Sequence, residues 1–295
     1  MRTPAYPPNP PHEMLPARTL NIPGTGELFL RDSGETEPTR PAVMLLHGWV
    51  VSADLNWHAA YDPLTEAGYR VLAIDHRGHG RGLRTVAPFR LADCAADAAA
   101  AVRALGVSPA IFVGYSMGGT IAQLIARDHP DVVSGVVLSA TSQHFQDPET
   151  ARAWKLMGAV GLALSVAPRA TWRAGFRYAK IPISPQTTWW LSEMMRHSAR
   201  DLAEAGRELG RFDSRPWLSR LSVPAASVIT TRDRSVSPRN QRELAAAIGG
   251  AVFEVAIDHL DVTERADLYN PALLQALAAV SPGAPVAVAQ GSDTL

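Results

Sequence analysis

Short apolar runs alternate with amphipathic stretches along most of the 295 residues. This is the pattern of strand–helix units laid on a mainly parallel sheet. The apolar runs predict strands at 18–22, 28–31, 43–46, 70–74, 110–113, 133–139, 226–230 and 251–255. Several are unbroken Val/Ile/Leu, as expected where both faces of a sheet are covered. Helical spacing predicts helices at 58–67, 91–105, 117–128, 239–248 and 272–280, and Pro130 closes the third of these. The rhythm stops over 144–214. Five helical stretches follow one another there with no convincing strand, at 148–155, 156–166, 170–178, 187–197 and 199–210. The pattern predicts an α/β fold: an eight-stranded, mostly parallel sheet covered by helices, built from 17–143 and 215–281. A helical cap, 144–214, is inserted after the sixth strand.

The chain ends read differently. Residues 1–16 carry Pro4, Pro7, Pro8, Pro10, Pro11 and Pro16, which predicts an extended arm with its backbone in water. No apolar h-region follows Arg2, so the arm is not read as a targeting signal. Residues 282–295 are small and polar and read as a frayed tail. The most apolar run, around 157–168, is shorter than the ~18 residues a membrane span requires. A soluble, cytoplasmic protein is expected.

Composition narrows the function classes. Hydrophobic residues make up 46 %, too many for a disordered chain. Lys+Arg and Asp+Glu are both 28, giving zero formal charge and no excess to drive nucleic-acid or anionic-membrane binding. The single cysteine, Cys94, excludes a disulfide framework or cysteine-rich zinc site within one chain. It is expected as an inert thiol packed inside a helix.

The sharpest chemical signal is Gly114-Tyr115-Ser116-Met117-Gly118, followed by Gly119. It stands between a predicted strand and a predicted helix, the context that gives G-x-S-x-G its meaning. Such a turn exposes the Ser116 hydroxyl at the carboxyl end of the sheet, beside the positive end of a helix. A serine hydroxyl is a weak nucleophile and needs a base, itself oriented by an acid. The strand at 226–230 leads to Asp233, and the strand at 251–255 leads to His259, so the order Ser, Asp, His is met. Asp147, Asp258 and Asp261 are rival acids. The strand at 43–46 ends in His47-Gly48-Trp49. Acyl transfer needs two backbone donors for the oxyanion, which nominates the N–H groups of Trp49 and Met117. His47 is read as fixing that loop.

Other features are set aside. His76 and His79 have no further ligands at metal spacing, and no glycine-rich phosphate loop is present. No cofactor, metal or otherwise, is implied. The insertion is heavily apolar, and Trp189, Trp190 and Met194, with Leu260 beside the histidine, are nominated as a ceiling that holds an acyl chain or aromatic group. The expected partner is a small-molecule ester or related acyl compound, without nucleic acid; a homo-oligomer is left open.

His47-Gly48-Trp49, Asp75-His76-Arg77-Gly78-His79-Gly80, Gly114-Tyr115-Ser116-Met117-Gly118-Gly119, Asp233 and His259 together resemble the α/β-hydrolase superfamily over roughly 17–281. Within it the chain looks most like haloperoxidase-like esterases and bacterial monoacylglycerol lipases. Arg81, where serine is usual, and Asp258, where glycine is common, depart from that pattern. The resemblance implies a serine esterase or lipase that works through an acyl-enzyme. The same triad would serve C–C bond, thioester or lactone cleavage, or perhydrolysis.

Overall fold

The structure is a computed structural model that describes residues 10, 12–34, 41–218 and 221–281. The predicted tail, 282–295, and most of the predicted arm lie outside the described residues.

Eight strands form one sheet: β1 (Ala17–Ile22), β2 (Gly26–Asp32), β3 (Val43–Leu46), β4 (Val71–Ile74), β5 (Ala110–Tyr115), β6 (Val133–Ser139), β7 (Ala225–Thr230) and β8 (Ala251–Val255). Their order across the sheet is β1-β2-β4-β3-β5-β6-β7-β8. β2 is antiparallel to both β1 and β4, and all later pairings are parallel. The chain therefore runs from β3 to β4 on one side and returns to β5 on the other. In an open parallel sheet the crevice for a ligand forms at the carboxyl ends of two such strands, here β3 and β5.

Strand alternation fills two cores. Met44 and Leu46 of β3 face α2 (Leu91–Ala104), α3 (Met117–Asp128) and α9 (Pro238–Ile248), whereas Val43 and Leu45 face α1 (Ala53–Glu66) and α10 (Ala266–Val280). Cys94 is fully buried in the first core. Burial pushes its thiol pKa well up, so the thiol is inert.

Two helix starts differ from expectation. α1 begins at Ala53 because Ser52 caps it, its side chain accepting the Leu55 N–H. α10 begins at Ala266 and carries Pro271 inside it, where the ring removes one N–H without ending the helix. Between β6 and β7 lie α4 (Pro148–Lys155), α5 (Met157–Val166), α6 (Pro168–Tyr178), α7 (Pro185–Met194) and α8 (Ala199–Arg211), the helical cap. The described end of the N-terminal arm is not bare in water. Met14 and Leu15 pack on the second core. His12 stacks on His58 of α1 (ring centroids 4.3 Å apart) and bonds Gln186 of α7 (2.7 Å). Apolar side chains outweigh the prolines there.

Candidate active site

At the tip of β5 the chain reverses into α3 through Ser116, held at φ 53° and ψ −116°. That backbone region is costly for a non-glycine residue and persists only where its surroundings enforce it. They do so here. A Cβ on Gly114 would lie 2.3 Å from the Gly118 carbonyl, and one on Gly118 would lie 2.0 Å from the Leu46 carbonyl. The Ser116 N–H donates to the Ser139 carbonyl (3.0 Å) and the Thr141 hydroxyl donates to the Ser116 carbonyl (2.7 Å).

The structure brings Ser116, His259 and Asp233 into one hydrogen-bonded line. His259 Nε2 stands 3.0 Å from Ser116 Oγ, and His259 Nδ1 stands 2.7 Å from Asp233 Oδ2. A carboxylate can only accept, so Nδ1 carries the proton and Nε2 is left to accept from the serine. Asp233 is itself immobilised. Its Oδ1 accepts the backbone N–H groups of Ser235 and Val236 (both 2.8 Å), and its Oδ2 accepts from Thr230 Oγ1 (2.7 Å) and Gln241 Nε2 (3.0 Å). The Tyr115 hydroxyl donates to the His259 carbonyl and anchors the base from beside the nucleophile. The rival acids are engaged elsewhere. Asp258 binds Arg234 (2.6 Å), Asp147 accepts from Asn240 (2.6 Å), and Asp261 accepts the Asp258 N–H (3.1 Å).

Next to the serine lies the loop after β3. The Gly48 N–H is taken by Asn56 Oδ1 (2.8 Å), which leaves Trp49 as the next backbone donor along the loop. His47 Nε2 accepts the His76 N–H (3.0 Å), so Nδ1 carries the proton and donates to the Gly48 carbonyl (2.7 Å). That carbonyl and the Trp49 N–H share one planar peptide and point in opposite directions. His47 thus orients the donor from behind. Burial, then the neighbouring His76, hold the His47 pKa well below its ordinary value, so the ring stays neutral. Met117 opens α3, and its N–H has no acceptor within the helix.

A cavity of about 110 Å³ opens onto Ser116 and His259. Trp49, Val51 and Leu55 line its floor side, and Phe176, Ile181, Trp190 and Met194 from the cap line its roof. Leu260, largely exposed, stands at its rim. Among the described residues, no Asp, Glu, Lys or Arg lines it.

A sequence profile of the alpha/beta hydrolase fold matches residues 41–169. A non-heme haloperoxidase of Rhodococcus erythropolis is 39 % identical over 113 residues, which are 38 % of this chain and 39 % of that protein. A non-heme chloroperoxidase of Streptomyces lividans is 29 % identical over 274 residues, 84 % of this chain and 94 % of that one. The crystal structure of the enol-lactonase from Burkholderia xenovorans LB400 superposes with a TM-score of 0.70 and 26 % identity, covering 88 % of this chain and 99 % of that one. The chain has the alpha/beta hydrolase fold and is similar in sequence to members of that superfamily.

One nominated residue is misplaced. Trp189 does not line the cavity; it is buried against His58 (ring centroids 5.2 Å apart) and His12 (5.8 Å). Adjacent helical residues point about 100° apart, whereas residues four apart share a face. Trp190 and Met194 share the cavity face of α7, and Trp189 is turned off it. Sequence reasoning also missed Thr230, Gln241, Tyr115 and Asn56. Gln241, a polar side chain on the buried face of an amphipathic helix, was the one visible signal among them. Among the described residues no three His, Cys, Asp or Glu side chains converge as metal ligands would, and no helix is long and apolar enough to cross a membrane.

Proposed function

We propose that this α/β hydrolase cleaves carboxylic esters through a covalent acyl-enzyme, with Ser116 as nucleophile, His259 as base and Asp233 as the acid that orients it. The observation that carries the reading is the continuous hydrogen-bonded line from Asp233 through His259 to Ser116 Oγ at the wall of a cavity.

In the first half-reaction Ser116 Oγ attacks the ester carbonyl while its proton moves to His259 Nε2. The carbonyl oxygen becomes an oxyanion held by the Trp49 and Met117 N–H groups, and Asp233 stabilises the imidazolium. The tetrahedral intermediate collapses, the C–O bond breaks, and Nε2 returns the proton to the leaving alkoxide. Water then gives a proton to Nε2 and attacks the acyl carbon. The second collapse releases the acid and restores the serine hydroxyl.

The cavity supports a neutral substrate with a short acyl group. Its volume compares with the ~150 Å³ that encloses a benzene ring in an apolar protein cavity. A carboxylate buried against this lining would find no cation and would lose its hydration without compensation. The same point weighs against acidic lactones as substrates. The test is a p-nitrophenyl ester series from acetate to dodecanoate, run beside fluorophosphonate labelling. We expect labelling that vanishes in Ser116→Ala and a maximum between acetate and butyrate. Labelling without ester turnover would transfer the same machinery to lactone, thioester, C–C or peracid chemistry. No labelling of the wild type would overturn the serine mechanism and leave a binding protein on this fold.

A further inference from the structure

Val50 follows the nominated oxyanion donor directly and sits at φ 60°. A β-branched residue in that region is a true outlier, and such strain survives only where neighbours over-determine it. The neighbours belong to the cap. His197, in the turn between α7 and α8, has Nε2 3.1 Å from the Val50 carbonyl and accepts the Gly80 N–H at Nδ1 (2.8 Å). Because Nδ1 accepts, Nε2 carries the proton and donates to Val50. On the other side of the strained residue, the Trp49 indole N–H donates to the Leu202 carbonyl of α8 (2.9 Å). The cap therefore grips the loop at two consecutive residues, 49 and 50, while His47 and Asn56 grip it from the core at Gly48.

We propose that His197 is a positioning residue for the oxyanion hole: by holding the strained Val50 carbonyl, this cap side chain fixes where the Trp49 N–H points. The inference rests on the ester-hydrolase reading above. It makes the cap part of the catalytic frame as well as a roof. A hole displaced by a fraction of an ångström binds the ground-state carbonyl almost unchanged and the transition-state oxyanion less well, so the loss falls on kcat.

Two near-isosteric variants separate this role from simple cap docking. The amide nitrogen of His197→Gln reaches the place of Nε2 and keeps the donation to Val50. The shorter His197→Asn reaches only the place of Nδ1 and keeps the contact to Gly80. We expect His197→Asn to lower kcat on p-nitrophenyl acetate by about 10–100-fold with KM within about twofold, because a single oxyanion donor is worth about 10²–10³-fold. A trifluoromethyl ketone should weaken in step with kcat. His197→Gln should stay close to wild type, with both variants melting at similar temperatures. Equal kcat in the two variants, or losses that simply follow melting temperature, would overturn the proposal. Amide hydrogen exchange of the segment spanning 47–51 provides a reading independent of turnover. It should quicken in His197→Asn and not in His197→Gln. Unchanged exchange in His197→Asn sinks the tether even if the wild type proves to hydrolyse no ester, whereas an inactive wild type with quickened exchange sinks only the ester reading.

Discussion

The two halves of the cap are built on opposite principles. The junction of α7 and α8 is wired to the core by polar contacts. Arg81 grips Glu193 with two nitrogens (2.9 and 3.1 Å) and reaches Asp54 (3.4 Å). Arg84 donates to the Arg196 carbonyl (2.7 Å), the Ser198 N–H donates to Gly78 (2.8 Å), and Glu204 accepts the Phe89 N–H (2.7 Å). The α5–α6 hairpin has few such polar ties: α5 packs its inner face on α8 through Gly161 and the buried Met157 and Leu164, while its outer face and α6 are open. Leu162 is 66 % exposed, Val166 75 % and Tyr178 93 %, and no residue of α6 is fully buried. Yet the hairpin side supplies Phe176 and Ile181 to the cavity. Segments with few buried contacts open at low free energy. On the reading proposed above, one half of the cap holds the loops around Ser116 in register, and the other yields to admit or select a substrate.

The comparison breaks most easily at Arg81. Arg81→Met leaves the Glu193 and Asp54 carboxylates buried with less countercharge, and we expect a loss of about 3–5 kcal/mol in urea unfolding. A loss below 1 kcal/mol would show that the wired half is not anchored there. Acid is the second lever. Burial, joined by His12, lowers His58 to about 4; burial, joined by His79, lowers His76 to about 3; and burial, joined by Arg84, lowers His197 to about 3. Each is neutral when folded but takes up a proton near pH 6.5 when unfolded. Their stabilisation is complete above pH 6.5 and is lost as pH falls toward the folded values, at up to about 1.4 kcal/mol per histidine per pH unit. Melting temperature should drop steeply between pH 6.5 and 4.5. A flat profile there would mean that protonation is accommodated in the native state.

The yielding half is tested by function. Phe176→Ala enlarges the roof and should move the optimum of the ester series toward longer acyl groups, while kcat on the acetate changes by less than about threefold. The smallest effect is expected on the outside of the hairpin: Leu162→Ser should change unfolding free energy by no more than about 0.5 kcal/mol. A larger loss would mean that the outer face of α5, where Leu162 stands, is packed as well.

Much of this was legible in the chain. All eight strands and the helical insertion follow from the alternation of apolar runs, because burial on both faces leaves a strong local signature. Ser116, Asp233 and His259 stand just past the ends of β5, β7 and β8, where order along the chain suffices to nominate them. The supports were not legible. Asp54 and Asn56 read as loop residues ahead of a helix starting at 58, yet both are in α1, one bound to Arg31 (2.7 Å) and the other to Gly48 (2.8 Å). Nothing near His197 announces Val50, 147 residues away in the chain. Pairings of that kind are decided by how the cap settles on the sheet, and no local pattern encodes them.

Cys94 offers a means of timing these events. As the sole sulfhydryl, sealed between α2 and the sheet, it is shielded from an alkylating reagent until that helix detaches. The pace of its modification in plain buffer therefore counts detachments of α2 from the sheet and ignores movements confined to the hairpin, giving an internal stopwatch against which every variant above can be read.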